Sequence, residues 1–172
     1  LITININAIK MKLSLSCRIT ELSDNKEKTF ISINSLIEMA IKNGFEGISL
    51  RPSVISTTSS KEKIFEIKKL FKLHNIEISM ITGNIHLAKN DNFASDSLRN
   101  ITPCLDLAEI LGTSLVRVMI RSNDDILYAQ RALDEALERG ITLTQQTHWG
   151  TLAETIDQTI SLINKINRKN FG

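Results

Sequence analysis

One pattern, a short strand followed by a loop and an amphipathic helix, occurs five times along the chain and limits its possible folds more than any other feature. The five predicted strands are Lys12–Cys17, Gly47–Arg51, Ile76–Thr82, Ser114–Ile120 and Ile141–Gln146. Their first residues lie 35, 29, 38 and 27 positions apart, close to the roughly 30 residues of a strand–helix unit. Because each helix returns the chain to the same end of the sheet, we expect parallel strands.

Several of these strands carry polar or small side chains on one face. The first strand places Ser14 and Ser16 on the face opposite Leu15, and the fifth places Thr142 and Thr144 together on one face. A strand buried between two layers of helices is apolar on both faces. A closed barrel accounts for the pattern, since its apolar face packs against helices and its other face lines the interior. We therefore predict an α/β fold made of parallel (β/α) units of a TIM barrel.

The length of the chain indicates that this barrel is incomplete. A full barrel has eight units and typically about 250 residues, whereas this chain has 172 residues and about five units. We expect residues 11–172 to form a partial barrel, with open edges that favour association, and residues 1–10 to be an extraneous or extended segment. A self-sufficient open α/β domain is the alternative, which the polar strand faces and the lack of a glycine-rich phosphate loop disfavour.

Charge and cysteine content narrow the choice of partner and compartment. The net charge is +2, from 21 basic and 19 acidic residues, which gives no electrostatic reason to expect nucleic acid or an anionic membrane as a partner. No uncharged apolar run approaches the roughly 20 residues of a membrane span. Cys17 and Cys104 stand in unrelated contexts, which fits a reducing cytosol and predicts a cytoplasmic protein. We expect a small molecule as the partner.

Polar residues gather where the predicted strands end, which is where barrels of this kind place their active sites. The candidates are Arg18, Arg51, His86, Arg117, Arg121, Gln146, His148 and Trp149. Arginine binds carboxylate or phosphate through two points, so the set predicts a site for an anion or for sugar hydroxyl groups. The alternative for each arginine is a helix cap or a pairing with an acidic residue.

Three of these candidates have further alternatives. Arg117 lies inside a central strand, where a charge is costly unless it points into a polar lumen or pairs with a carboxylate, and we favour the lumen. His86 suits a substrate contact or a metal ligand, although a histidine in a loop is often a simple surface residue. Trp149, the only tryptophan, either covers a sugar face or plugs the top of the barrel.

Four segments, in their order and spacing, carry a resemblance to a known family: residues 12–16, 43–51, 108–118 and 140–148. Through them the chain resembles the xylose-isomerase-like barrel group of sugar-phosphate isomerases and epimerases. The resemblance implies a sugar or polyol as substrate and a divalent metal (Mn, Mg, Co or Zn) in the full-length protein. It also implies metal-assisted proton transfer next to a carbonyl group, through an enediol.

The chain departs from that family pattern at Gln146. The family has there a Glu that binds the metal and moves the proton, whereas an amide can offer a metal its oxygen but cannot act as a base. Gln146 is therefore a doubtful metal ligand, and no catalytic base is identified. The family's other ligands come from later strands, so we expect this segment alone to be inactive and to hold no metal.

Two further functions remain open at this stage. The first is a non-catalytic sugar- or polyol-binding barrel that has lost its base, which Gln146 would explain. The second is a DNA nuclease that acts at abasic sites. That reading is disfavoured because such enzymes need several clustered histidines for zinc, and the chain has only three.

Overall fold

The computed structural model describes residues 11–172, so the prediction made for residues 1–10 lies outside the described residues. The described chain forms one sheet of five parallel strands in the order β1-β2-β3-β4-β5. The strands are β1 (Ser14–Ser16), β2 (Gly47–Leu50), β3 (Glu77–Ile81), β4 (Leu115–Val118) and β5 (Thr142–Gln145). The helices are α1 (Ile33–Lys42), α2 (Lys61–Leu73), α3 (Ile85–Lys89), α4 (Thr102–Leu111), α5 (Ile126–Glu138) and α6 (Ile156–Ile166). The predicted parallel α/β arrangement is confirmed.

The sheet is open rather than closed into a barrel. Within residues 11–172, β1 pairs only with β2. On the other edge, the N–H of Leu143 donates to the carbonyl of Asn170 at 3.0 Å, and Phe171 forms a parallel bridge with Leu143. Residues 170–172 therefore run beside β5 as the next strand of a barrel would, so the β5 edge is partly paired, whereas the sequence predicts open, unpaired edges.

One apolar core joins the sheet to its helices. Ile48, Val116 and Leu143 of the strands are fully buried and pack in the same cluster as Leu36 of α1 and Leu133 of α5. These strand residues alternate with polar ones on the opposite face, as the sequence pattern predicts. Each helix in the described part of the chain is too short or too polar to span a bilayer.

The ends of the helices differ in detail from the sequence-based expectations. Ser32, not Ser35, caps α1, since its hydroxyl oxygen accepts a hydrogen bond from the N–H of Ser35 at 3.1 Å. The spacing of Ser35 and Glu38 predicts a capping box, and the helix instead starts before this pair. Pro103 lies in the first turn of α4, where its missing N–H removes no helical bond. A proline inside the apolar pattern of residues 98–111 predicts either a kink or a late start, and the helix starts late, at Thr102.

Helix α6 buries less than its pattern of isoleucines predicts. The helical spacing of these residues predicts that Ile156, Ile160, Ile163 and Ile166 face the sheet. Ile166 is buried as predicted, together with Leu162, whereas Ile156, Ile160 and Ile163 are 78%, 52% and 43% exposed. The helix packs against α5 at the open edge of the sheet, so no neighbour covers the rest of its apolar surface among the described residues.

The short helix α3 was not expected from the sequence. Asn84 caps its start, accepting from the N–H of Leu87 at 2.9 Å, and Asn90 ends it in the left-handed conformation with φ of 55°. Leu87 packs with Ala94 and Met119 in a small apolar cluster separate from the main core. Because Met119 directly follows β4, this cluster places α3 over the carboxyl ends of the strands.

Candidate functional site

Three arginines at the carboxyl ends of β2 and β4 hold the end of α3. Arg51 Nη2 donates to the carbonyl of Ala88 at 3.0 Å, and Arg117 Nη1 donates to that of Leu87 at 3.0 Å. Arg121 Nη1 donates to the carbonyl of Asn90 at 3.1 Å. The last carbonyls of a helix lack partners within it and carry partial negative charge, so cations are favoured there. The arginines that the sequence places at the strand ends therefore support the segment that covers them.

Arg51 also forms a buried ion pair. Its Nε and Nη2 donate to Glu21 Oε1 and Oε2 at 2.6 and 3.2 Å, and the two side chains are only 8% and 4% exposed. Ser53 donates a third hydrogen bond, from its hydroxyl to Glu21 Oε1, at 3.1 Å. The two-point geometry is that of a strong arginine–carboxylate pair. Arg51 thus matches the alternative of pairing with an acid, and the sequence analysis did not identify Glu21 as that acid.

Arg117 is buried without a carboxylate partner in the described part of the chain. Its Nη2 donates to Asn90 Oδ1 at 2.5 Å, whereas its Nε has no acceptor among residues 11–172. Burial, together with the charges of Arg51 and Arg18, lowers the pKa of Arg117 to about 10. The guanidinium therefore remains charged at neutral pH, with one donor unused.

Asn90 links this arginine cluster to the end of β5. Its amide lies 2.8 Å from His148 Nε2, and His148 Nδ1 lies 2.7 Å from the carbonyl oxygen of Trp149. Asn90 was not identified from the sequence. The sequence contains one weak sign of its role, an Asn directly after a short apolar segment. Asn tolerates positive φ better than most residues, so it can end a helix at such a position.

The remaining predicted residues lie around this cluster. Arg18 is exposed, and its side chain makes no hydrogen bond within residues 11–172. His86 Nδ1 lies 2.9 Å from Asp91 Oδ2, and the His86 side chain is 48% exposed. Trp149 is 84% exposed, and Gln146 is exposed without a hydrogen bond in the described chain. The structure thus brings together Arg51, Arg117 and His148.

His86 borders a small opening of about 270 Å³, which it lines together with Asn84, Thr57 and Thr58. Burial disfavours the charged Asp91 carboxylate. Hydrogen bonds from His86 and from the N–H of Phe93 outweigh this effect and leave the pKa of Asp91 below its ordinary value. His86 therefore faces a stable anion on one side and the opening on the other.

The described residues do not form a metal centre. Among residues 11–172, no group of three or more His, Cys, Asp and Glu side chains is arranged to hold a metal ion. Gln146 and His148 are the positions that match the family's ligand region, and both ring nitrogens of His148 already have hydrogen-bond partners. The set fits a divalent cation poorly, since such a site needs several oxygen or nitrogen ligands.

Comparison with known proteins identifies relatives by family and by fold. A family model described as xylose isomerase-like TIM barrel matches residues 37–172. The chain is similar to the probable 3-DHS dehydratase AsbF from Bacillus anthracis, with 21% identity and a TM-score of 0.68 over 94% of this chain and 61% of that one. No curated protein matches the chain.

Two further solved structures have the same fold. A xylose isomerase-like TIM barrel protein from Mycobacterium smegmatis in complex with magnesium is 14% identical, with a TM-score of 0.71 over 95% of this chain and 63% of that one. D-allulose 3-epimerase from Methylomonas sp. is 13% identical, with a TM-score of 0.65 over 94% and 61%. At these identities the likeness concerns the fold. The chain spans 61–63% of the length of these three structures.

Proposed function

The chain belongs to the xylose isomerase-like TIM barrel family, and from this premise we propose that it is the N-terminal portion of a sugar or sugar-phosphate isomerase or epimerase. The reaction is proton transfer next to a carbonyl group, assisted by a divalent metal in the full-length protein. The observation that carries this proposal is the convergence of Arg51, Arg117 and His148 at the carboxyl ends of parallel strands. Barrels of this type place their substrate sites at that end.

The relatives support the choice of reaction class. The structures of similar fold include D-allulose 3-epimerase and D-psicose 3-epimerase in the presence of D-fructose. They also include a barrel protein in complex with magnesium. A probable 3-DHS dehydratase has a similar fold, so the fold is not limited to isomerases and epimerases. The proposal for this chain therefore depends on its own residues as well.

The arginines are assigned different tasks. Glu21 pairs with Arg51, and Arg51 contributes to the site by holding α3 in place, whereas Arg117 carries a buried charge with no carboxylate beside it among the described residues. Arg117 is therefore the proposed contact for a phosphate, carboxylate or carbonyl oxygen, and the exposed Arg18 lies close enough to affect its pKa. The proposed substrate-binding residues are Arg18, His86, Arg117, His148 and Trp149, and Arg51 supports them through α3.

No step is placed on the metal, because the described residues offer no group of three or more His, Cys, Asp and Glu side chains that could hold one. When bound, a divalent cation would polarise the substrate's oxygen atoms. In this proposal its ligands, and the catalytic base, come mainly from outside residues 11–172, and the segment alone is inactive. A cytoplasmic location and association through the open edges remain predictions.

A second candidate is a non-catalytic sugar- or polyol-binding barrel. Gln146 favours it, since this amide stands at the family's Glu position and cannot accept a proton in catalysis. The Gln146 side chain is also exposed, and within the described chain it makes no hydrogen bond that would explain its presence as structural.

Proton exchange from sugar phosphates into D₂O, with added Mn²⁺ or Mg²⁺, tests these alternatives. The experiment uses this chain and a version extended by the coding sequence that follows Gly172. Exchange by the extended protein, but not by this chain, supports the isomerase proposal. Sugar binding without exchange in the extended protein supports the binder, and robust turnover by this chain would overturn the claim that it is inactive alone.

Replacing Gln146 in the extended protein sharpens the comparison. Gln146→Glu restores a carboxylate at the end of β5, so a gain of exchange would show that the site lacks only its base. Asn34→Asp makes the same amide-to-carboxylate change at an exposed position of α1, away from the end of β5, and is the matched control.

A further inference from the structure

We propose that Asn90 is a positioning residue that fixes the hydrogen-bonding state of His148. In this arrangement His148 is neutral, its Nδ1 carries the proton and its Nε2 is a hydrogen-bond acceptor. The inference rests on the proposed function in one respect only, namely that His148 contacts the substrate.

The direction of each hydrogen bond follows from a chain of groups with fixed roles. Arg117 can only donate, so the Asn90 atom that faces its Nη2 is the carboxamide oxygen. The Asn90 amide nitrogen then faces His148 Nε2 and can only donate to it. Nε2 must therefore be unprotonated.

The other ring nitrogen completes the assignment. His148 Nδ1 faces the carbonyl oxygen of Trp149, which can only accept. Nδ1 must therefore carry the proton. Arg117 orients Asn90, and Asn90 orients His148. Arg117, which can only donate, therefore determines the tautomer of His148.

Asn90 is itself held on three sides. Its φ of 55° ends α3, and its own N–H donates to the carbonyl of His86. Its carbonyl oxygen accepts from Arg121, and its side chain bridges Arg117 and His148. A residue restrained through both its main chain and its side chain can impose an orientation on a neighbour.

The assignment determines what His148 offers to a substrate. The single lone pair of Nε2 accepts from Asn90, and the Nδ1 proton is donated to the carbonyl of Trp149, so neither nitrogen is free while both bonds are in place. Any contact of His148 with the substrate is then made by its neutral ring, which does not attract an anionic oxygen. Arg117, which only donates and stays charged, is the group of this cluster that favours an anionic or carbonyl oxygen.

Nitrogen-15 NMR of the labelled chain reports the tautomer directly. The chain has only three histidines, and His148→Gln assigns the signal of interest. In the wild type we expect the Nδ1–H form of His148 to exceed the Nε2–H form by about tenfold, the effect of roughly one hydrogen bond.

Two substitutions of Asn90 shift this ratio in different ways. Asn90→Asp is close to isosteric, and its two carboxylate oxygens only accept, so we expect His148 Nε2 to gain a proton. Asn90→Gly keeps the left-handed conformation but removes the amide, so we expect a mixture of tautomers. Asn75→Gly is the matched control, because Asn75 also has positive φ, 51°, and should leave His148 unchanged.

The outcomes separate this inference from the proposed function. A protonated Nε2 in the wild type, or an Asn90→Asp spectrum identical to the wild type, would overturn the role of Asn90. Backbone spectra identify a variant that fails to fold. Asn90→Asp, which is close to isosteric, is the variant least expected to do so. The tautomer is measured without substrate, so a failure to bind or convert sugars would count against the proposed function alone.

Discussion

The ion pairs at the two ends of the sheet differ in burial. At the amino ends of the strands, an opening of about 560 Å³ is bordered by the Lys12–Glu77 ion pair, whose side chains are 59% and 60% exposed. At the carboxyl ends, the Arg51–Glu21 pair is 8% and 4% exposed and lies beneath α3. A wide opening is therefore found at the amino ends, whereas the buried, connected polar groups lie at the carboxyl ends.

This difference teaches that the volume of an opening is a poor guide to the site in this fold. Water can solvate polar groups at the amino ends, so an ion pair there costs little and contributes little. Burial at the carboxyl ends makes any unpaired polar group costly, so these groups must bond to one another. Their arrangement is consequently specific, and substitutions there should have larger effects.

The largest expected effect comes from breaking the buried ion pair. Glu21→Ala leaves the Arg51 charge buried without its carboxylate, and we expect a loss of about 3–5 kcal/mol in the free energy of unfolding. Denaturant unfolding measures it. Glu21→Gln, which keeps hydrogen-bonding oxygen and nitrogen atoms, should lose less. A loss below about 1 kcal/mol for Glu21→Ala would remove the distinction between the two ends.

Alkaline pH tests the burial of the carboxyl end of β1. Burial raises the pKa of Cys17 from 9.0 to about 11, against a smaller opposing effect of its hydrogen bond with Ser53. The folded state therefore keeps the proton while the unfolded chain loses it above pH 9, so stability present below pH 9 is lost as pH rises toward 11.

Cys17→Ala removes this contribution, and we expect its loss of stability between pH 9 and 11 to be smaller than that of the wild type by about 2 kcal/mol. Unfolding curves at several pH values measure the difference. Cys104, whose pKa burial also raises to about 11, stays in both proteins and cancels in the comparison. Equal pH slopes would show that water reaches Cys17.

The packing above β3 provides a third test. A Cβ atom added at Gly83 would lie 2.5 Å from Cys104 Sγ, so Gly83→Ala should destabilise the fold by about 1–3 kcal/mol through overpacking. Adding Cys104→Ala should restore part of that loss by opening space. If the double variant recovers no stability, the loss in Gly83→Ala does not come from the contact with Cys104.

The smallest effect is expected at the amino ends. Glu77→Ala removes the carboxylate from an exposed pair, and we expect a change below about 1 kcal/mol that diminishes further in high salt. The same denaturant experiment serves as the measurement. A loss as large as that of Glu21→Ala would mean that exposure does not separate the two ends.

Much of the fold could be predicted because its signals are local. Apolar alternation and helical spacing predicted all five strands, and the structure shortens each by one or more residues at its ends. The polar faces of β1 and β5 indicated a barrel interior. The same method failed for α6, because its apolar stripe gave no information about whether a neighbour would cover it.

The site could be predicted only in part. Residue type and position were enough to place Arg51, Arg117 and His148 at the strand ends. They did not reveal that Arg51 pairs with Glu21, 30 positions earlier, or that Asn90 bridges Arg117 and His148, 27 and 58 positions away. Periodicity reports which face of a strand a residue occupies. Hydrogen-bond partners depend on distances between segments far apart in the chain, and only the packing of α3 over the sheet brings those segments together.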